Sequence, residues 1–485
     1  MKSPKSVSAT PPDPSSQAKW WAMLGIGLGV LMFTLDTSIV NIALPTLVKT
    51  LNTNFALIQW VVISYLLVIT SLVLGAARLG DMFGKKQLYS VGLVVFTISS
   101  LLCGLAPNVE SLIAFRALQG LGAVFISALG AAIITEVFPN SERGRALGII
   151  GAVVSLGVAL GPSVGGLLIG ISGWRTIFLV NVPIGIIASF IVSRFVPTLM
   201  KNDTKQHFDS VGALLMTVTL SCFALGMTEG QNQGFTSTIS VILLISAALN
   251  FAVFLVLEAR MRQPMLALDM FQNLQFSLSL LLGLLVFVAL GGIIFILPFF
   301  LELVLKFSTQ QVGLLLAVSP VLGGIVAPLS GIFSDRFGPR LISLLGLILM
   351  VIGCLLLSTL HAQMTELGYI WRVVPFGIGF GFFQSPNNSA IMGEVSRERL
   401  GIASGLLALS RTLGQTTGVP LLGALFASLA LSREALAVHS NITITTASAE
   451  ALVYGVQGTL HFAAFILGAA TLLTAVIWRI ERSLK

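Results

Sequence analysis

Fourteen apolar runs of around 20 residues follow one another between Trp20 and Trp478. A run of that length matches the hydrocarbon core of a bilayer when it is helical. In lipid every backbone polar group must bond internally, which leaves helices or closed barrels. The runs lack the ten-residue alternation of barrel strands, so helices are expected. Only 9% of the residues are charged, against roughly 25% in soluble domains, too few to build a water-exposed surface. The expected fold is an all-α integral membrane protein. Its spans fall at about 20–48, 57–77, 88–106, 109–135, 146–171, 175–196, 210–228, 237–257, 276–304, 310–330, 341–360, 367–392, 401–430 and 454–478.

The charges sit at the ends of these runs. With the N-terminus inside, twenty of the 27 Lys and Arg residues fall on cytoplasmic segments. Five fall outside (Lys49, Arg175, Lys306, Arg372 and Arg433), and Arg116 and Arg411 lie within spans. This positive-inside bias expects both termini in the cytoplasm of a multi-pass protein of the cell membrane. It also accounts for the net charge of +8 without nucleic acid. Residues 1–19, polar and rich in proline, are expected to be disordered. No cleavage site of signal-peptide type follows the first run, which is too long for a signal sequence, so the first helix is expected to stay. Cys103, Cys222 and Cys354 lie within apolar runs without metal-like spacing and read as small hydrophobes.

Sliding the chain by about 254 residues reveals a repeat. Asp81 and Gly84, in ARLGDMFGKK, fall on Asp335 and Gly338, in GIFSDRFGPR. Gly161 and Gly165 fall on Gly414 and Gly418, and Pro45 falls on Pro298. Two six-helix halves are implied, 20–196 and 276–485, separated by a segment, 197–275, that carries helices 7 and 8.

A duplicated six-helix half with GxxxDxxG between its second and third spans resembles the major facilitator superfamily, whose paired repeats enclose a site at their interface. The two extra helices, together with LDTSIVNIALP, IQWVVISYLL, GPSVGG and WRTIFLVNVPIG, are similar to the fourteen-span drug/proton antiporter branch. The resemblance covers Trp20 to the C-terminus. It implies that the paired loops, with Asp81, Gly84, Lys85, Gly331, Asp335, Arg336 and Gly338, latch the inner gate. Ala77 stands where the family usually has Gly. It also implies proton transfer for Arg116 and antiport for the motif of Gly157, Gly161, Pro162, Gly165 and Gly166.

The residues themselves point the same way. Asp36 is a carboxylate inside an apolar run, and an ionisable group within a span is a functional-site hypothesis by default. Low dielectric favours the neutral form of a carboxylate and a neighbouring cation the charged form; a group held between the two can load and release a proton. Arg116 lies about 12 Å from the outer end of helix 4 and Asp36 about 18 Å from that of helix 1, at 1.5 Å per residue. The two can meet if both helices face one cavity. Gln119, three residues on, shares the face of Arg116. A static ion pair is the competing reading.

On helix 5, Gly157, Gly161 and Gly165 offer a face for close helix approach, and Pro162 removes a backbone donor and should kink the helix. Ordinary glycine packing is the alternative. Helix 13 has Gln415 in place of the proline and adds Arg411. Glu302 is either interfacial or a proton- or cation-binding acid. Substrate-cavity candidates are Glu302, Arg411, Gln415, Gln384, Asn387, Asn388 and Phe33, with Asp36 and Glu302 expected to attract cationic compounds beside aromatic faces.

No GxxxxGK[ST], HExxH, paired CxxC or TVGYG-like filter occurs, which argues against ATP as driver, against a metal enzyme and against a channel. The expectation is a non-enzymatic exporter without cofactor. It would be driven by the proton gradient, act as a monomer among membrane lipids, and move amphipathic or cationic small molecules as two bundles rock. The rivals are a dedicated exporter of an endogenous lipid or metabolite, and a non-transporting receptor or assembly factor on the same fold.

Overall fold

The structure, a computed structural model, describes residues 16–139, 142–197, 209–261, 268–395, 400–435 and 444–483. Fourteen long helices follow in order: α1 Ser16–Thr50, α2 Trp60–Phe83, α3 Lys85–Leu105, α4 Val109–Val137, α5 Arg143–Ser172, α6 Asn181–Phe195, α7 Ser210–Gln233, α8 Thr238–Glu258, α9 Leu274–Phe299, α10 Thr309–Phe337, α11 Pro339–Leu357, α12 Glu366–Gly393, α13 Leu400–Ala435 and α14 Ala449–Ser483. Short turns at Phe55–Ile58 and Thr176–Leu179 lead into α2 and α6, and a π-helical turn, Phe300–Val304, ends α9. No strand occurs among the described residues.

Each expected span has its helix, and most helices overrun their apolar stretch. Hydropathy marks only the lipid-immersed part, whereas backbone hydrogen bonding continues into the polar zone. Among the described residues thirteen spans are long and apolar enough to cross a bilayer, α6 being counted with its preceding turn as Thr176–Phe195. The fourteenth, α12, is 28 residues long but is diluted by glycines and by Gln384, Asn387 and Asn388. Two expectations change. Helix α1 already begins at Ser16, and Lys19 donates to Glu142 at 2.7 Å, so residues 16–19 are ordered; residues 1–15 lie outside the described residues. The two GxxxDxxG segments are not open loops but helix ends. Only Gly84 (φ 99°) separates α2 from α3, and only Gly338 (φ 87°) separates α10 from α11. That left-handed backbone suits glycine alone.

Packing follows the duplication. In the first six helices α1 packs on α5 and α6, α2 on α4, and α3 on α4 and α6. The last six repeat each pairing: α9 on α13 and α14, α10 on α12, and α11 on α12 and α14. Across the middle α5 meets α10 and α2 meets α13. Helix α8 packs chiefly on α7, which also touches α2 and α13. Leucine, isoleucine and phenylalanine side chains on the perimeter are open, among them Ile171, Phe190 and Phe465. In lipid that surface is satisfied by acyl chains. The protein is thus a multi-pass membrane protein in which the start of α1 and the end of α14 lie on one face, called the terminus face below; the opposite one is the far face.

Candidate functional site

Asp36 is 0% exposed. Its Oδ2 accepts from Arg116 Nη1 at 2.6 Å, and its Oδ1 accepts from Gln119 Nε2 and from Asn181 Nδ2, each at 2.9 Å. Arg116, itself 1% exposed, also donates through Nη1 to Gln119 Oε1 (2.5 Å) and through Nε to the Val61 carbonyl (3.0 Å). Its guanidinium lies 4.0 Å from the centroid of the Tyr65 ring, a cation–π contact in a desolvated setting. Gln119 is fixed from behind by a bond to Ser100 Oγ at 2.8 Å. Five helices of the first half, α1, α2, α3, α4 and α6, therefore converge on one carboxylate.

The expected trio of Asp36, Arg116 and Gln119 is brought together. Asn181 and Ser100 are additions that the sequence reading missed. The available signal was an amide inside the apolar run FLVNVPIG, but the turn at Thr176–Leu179 that rotates α6 toward α1 carries no mark of its own. Asn181 Oδ1 is buried without a hydrogen-bond partner.

The glycines of α5 work by contact. A Cβ on Gly157 would collide with Thr34 Oγ1, and one on Gly161 with Ser38 Oγ. Ser38 donates to the Gly157 carbonyl at 3.2 Å. Gly166 faces the other way, where a Cβ would stand 2.5 Å from the Thr309 carbonyl of α10. The helix continues unbroken through Pro162, whose carbonyl sits against Gly313 of α10. The motif thus clamps α5 between α1 and α10.

Several described contacts join the halves at the far face. Lys49 and Glu302 form an ion pair at 2.8 Å, and Phe55 packs edge-on against Phe295 and Phe299 with centroids 5.2 and 4.9 Å away. Thr70 and Thr416 share a hydrogen bond of 3.0 Å between α2 and α13 in mid-bilayer. At the terminus face the described ion pairs, Lys19–Glu142 and Lys85–Glu136, stay within the first half. The side chains of Asp81 and Asp335 lie outside the described residues. Gly331 and the exposed Arg336 lie in the last two turns of α10.

A cavity opens between the halves in the far half of the bilayer, bordered by Ser38, Asn41, Pro162, Ile294, Ser319 and Phe380. It holds about 740 Å³ of empty space, the part open to its surroundings included. Asp36 does not line it. At 3.6 residues per turn, Ser38, Asn41 and Ile42 lie on the face of α1 opposite Asp36, so the acid looks into the first half and its neighbours look into the cavity.

None of the seven cavity candidates lines it either, and the placement explains each. Glu302 is paired with Lys49 at the far face, 2.8 Å away, and its second carboxylate oxygen is buried without a partner. Phe33 packs into the apolar core. Asn387 donates to the Ser279 carbonyl at 3.2 Å. Gln384, Asn388, Arg411 and Gln415 lie nearer the terminus face, and Gln415 is packed by its backbone against Gly291.

Known proteins share both the sequence and this architecture. The riboflavin transporter RibZ of Clostridioides difficile is 35% identical over 84% of this chain and 88% of its own length. The multidrug resistance protein Stp of Mycobacterium tuberculosis is 34% identical over 84% of this chain and 75% of its own. A crystal structure of a bacterial homologue of the human lysosomal transporter Spinster, inward-facing and unoccupied, superposes with a TM-score of 0.66. It covers 96% of this chain and 98% of that one at 17% identity, a likeness of fold. The sequence model of the Major Facilitator Superfamily matches residues 26–419 and 280–482. The chain belongs to the Major Facilitator Superfamily, with multidrug exporters among its relatives.

Proposed function

We propose that this transporter exports small amphipathic molecules from the cytoplasm in exchange for protons. The observation that carries the reading is the placement of Asp36 on α1, fully buried in the first half, with the cavity on the opposite face of the same helix. When Asp36 is ionised, Arg116, Gln119 and Asn181 tie α1 to α4 and α6 with charge-assisted bonds. A proton on Asp36 removes the charge those donors answer and loosens α1 from its neighbours. The other face of α1 contacts the cavity and the glycines of α5, so that loosening reaches the substrate side. Coupling then needs only that proton and cargo bind the two arrangements with different affinity.

The halves, 20–196 and 276–485, rock about the Thr70–Thr416 contact, while 197–275 stays an insertion on the flank. With both termini in the cytoplasm, as the charge bias argues, the far face, joined by the Lys49–Glu302 pair and the Phe55 ring contacts, is the outer one. The proton gradient of a cell membrane supplies the energy, and a single chain suffices. The cargo is amphipathic because the cavity wall is mostly apolar with a few hydroxyl and amide groups. Export of one endogenous metabolite is the second reading, favoured by the kinship to a riboflavin transporter.

The test is reconstitution into vesicles with an imposed pH gradient and an enclosed pH dye, against a panel of amphipathic compounds. Proton movement linked to at least one compound supports exchange. Compound movement indifferent to the gradient rules it out.

A further inference from the structure

Two arginines lie within spans, Arg116 fully buried and Arg411 partly so, and they are treated differently. Arg116 has Asp36. Arg411, on α13, has no hydrogen bond or ion pair among the described residues, and its Nε is buried without a partner. Its only described contact is with the face of Phe287, 5.2 Å from guanidinium carbon to ring centroid. A guanidinium with a buried, unpartnered N–H is left short of a hydrogen bond, and a ring face answers only part of its charge.

Arg411 does not border the cavity, and three relationships connect its surroundings to it. Phe287 meets Phe380 edge-on, centroids 6.0 Å apart at 88°, and Phe380 lines the cavity. The offset that superposes Gly161 on Gly414 superposes Val158 on Arg411, and Val158 also lines the cavity. In the same layer Asn387 and Ser410 converge on Gly283, and Asn387 Oδ1 is buried without a partner. No carboxylate lines the cavity, because Asp36 and Glu302 are each held by their own cation.

Resting on the export reading, we propose that Arg411 recognises an acidic group on the cargo, so that the transported class is aromatic or apolar bodies bearing a carboxylate, sulfonate or ionised phenol. The guanidinium presents a planar fork to such a group, and Phe287 and Phe380 offer ring faces to the apolar body. The cargo supplies the counter-charge that no described residue offers, and the empty transporter returns without it. Cationic compounds are disfavoured at this layer.

The experiment uses a matched probe pair. 8-Anilinonaphthalene-1-sulfonate and N-phenyl-1-naphthylamine share one ring system and differ by the sulfonate. Their binding to the purified full chain in detergent is measured by equilibrium dialysis against protein-free micelles. For the sulfonate probe, Arg411→Met should lose about tenfold to a hundredfold in affinity, the range of a charge-assisted bond, and Arg411→Lys should keep part of it. The uncharged probe should bind all three proteins alike. Arg411→Met should also melt no lower than the parent, since it removes a partly buried charge that no described residue pairs. Equal binding of the sulfonate to parent and Arg411→Met overturns the proposal. So does absence of saturable sulfonate binding to the parent, equal loss of both probes, or a lowered melting temperature of Arg411→Met. The measurement needs no gradient, so it can fail while proton exchange stands, and exchange can fail while it succeeds.

Discussion

Arg116 and Asp36, eighty residues apart in the chain, meet at 2.6 Å with neither side chain more than 1% exposed. A desolvated pair of this kind is weak evidence for stability, because burial opposes most of what the attraction gains. Its meaning lies in what happens when one member changes charge.

Asp36→Asn keeps the shape of the side chain and removes its charge. Gradient-driven exchange should fall to the level of empty vesicles while the protein still elutes as a folded monodisperse species. Exchange at parental rates would remove Asp36 from the coupling.

Arg116→Met strands a buried carboxylate and should lower stability by about 3–5 kcal/mol. The double variant Asp36→Leu/Arg116→Met should regain most of that, since apolar replacements of a buried pair are often neutral, and yet remain uncoupled. Thermal melting in detergent and vesicle exchange, measured side by side, separate a structural pair from a working one.

Asn181→Leu withdraws one of the three donors to the carboxylate. Leaving a buried acceptor one bond short costs about 1–3 kcal/mol, so the variant should melt earlier and exchange more slowly, while Asn181→Gln should recover part of both. An unchanged exchange rate in the leucine variant would make Asn181 a bystander.

Gly166→Leu has no room beside Thr309 and should part α5 from α10 at the far face. Spin labels on the far ends of those helices should report a longer distance than in the parent. Gly151→Leu is the control on the same helix, because a Cβ there meets nothing within 4 Å, and its label distance should match the parent.

Lys49→Glu should weaken far-face closure, and pairing it with Glu302→Lys should restore it. The effect on stability is small, about 0–1 kcal/mol, because Lys49 is half exposed. The sensitive readout is labelling of a cavity-facing Ser38→Cys from the far side, faster in the single reversal and parental in the double.

How much of this was legible before the coordinates depends on the kind of feature. The fourteen helices were, because hydropathy and length answer to the bilayer alone. So was the meeting of Asp36 with Arg116, because two opposite charges at comparable depth in lipid have few other partners. The cavity was not. Its border depends on how each helix is rotated about its axis, and in a chain apolar on nearly every face the usual amphipathic signal is missing. Glu302 shows the same gap: its depth was correctly near an outer end, yet its partner, Lys49, belongs to the other half of the molecule. Asn181 escaped because one asparagine two residues before a proline reads equally well as a turn signal.

Placing the acid and the cavity on opposite sides of α1 has an evolutionary consequence. If Asp36 carries the proton as proposed, mutations that reshape the border at Ile294, Ser319 or Phe380 can admit a new compound without disturbing it. One drive train can then be inherited intact by descendants that have exchanged their cargo, and selection for resistance to an unfamiliar toxin has only the wall of the chamber to rewrite.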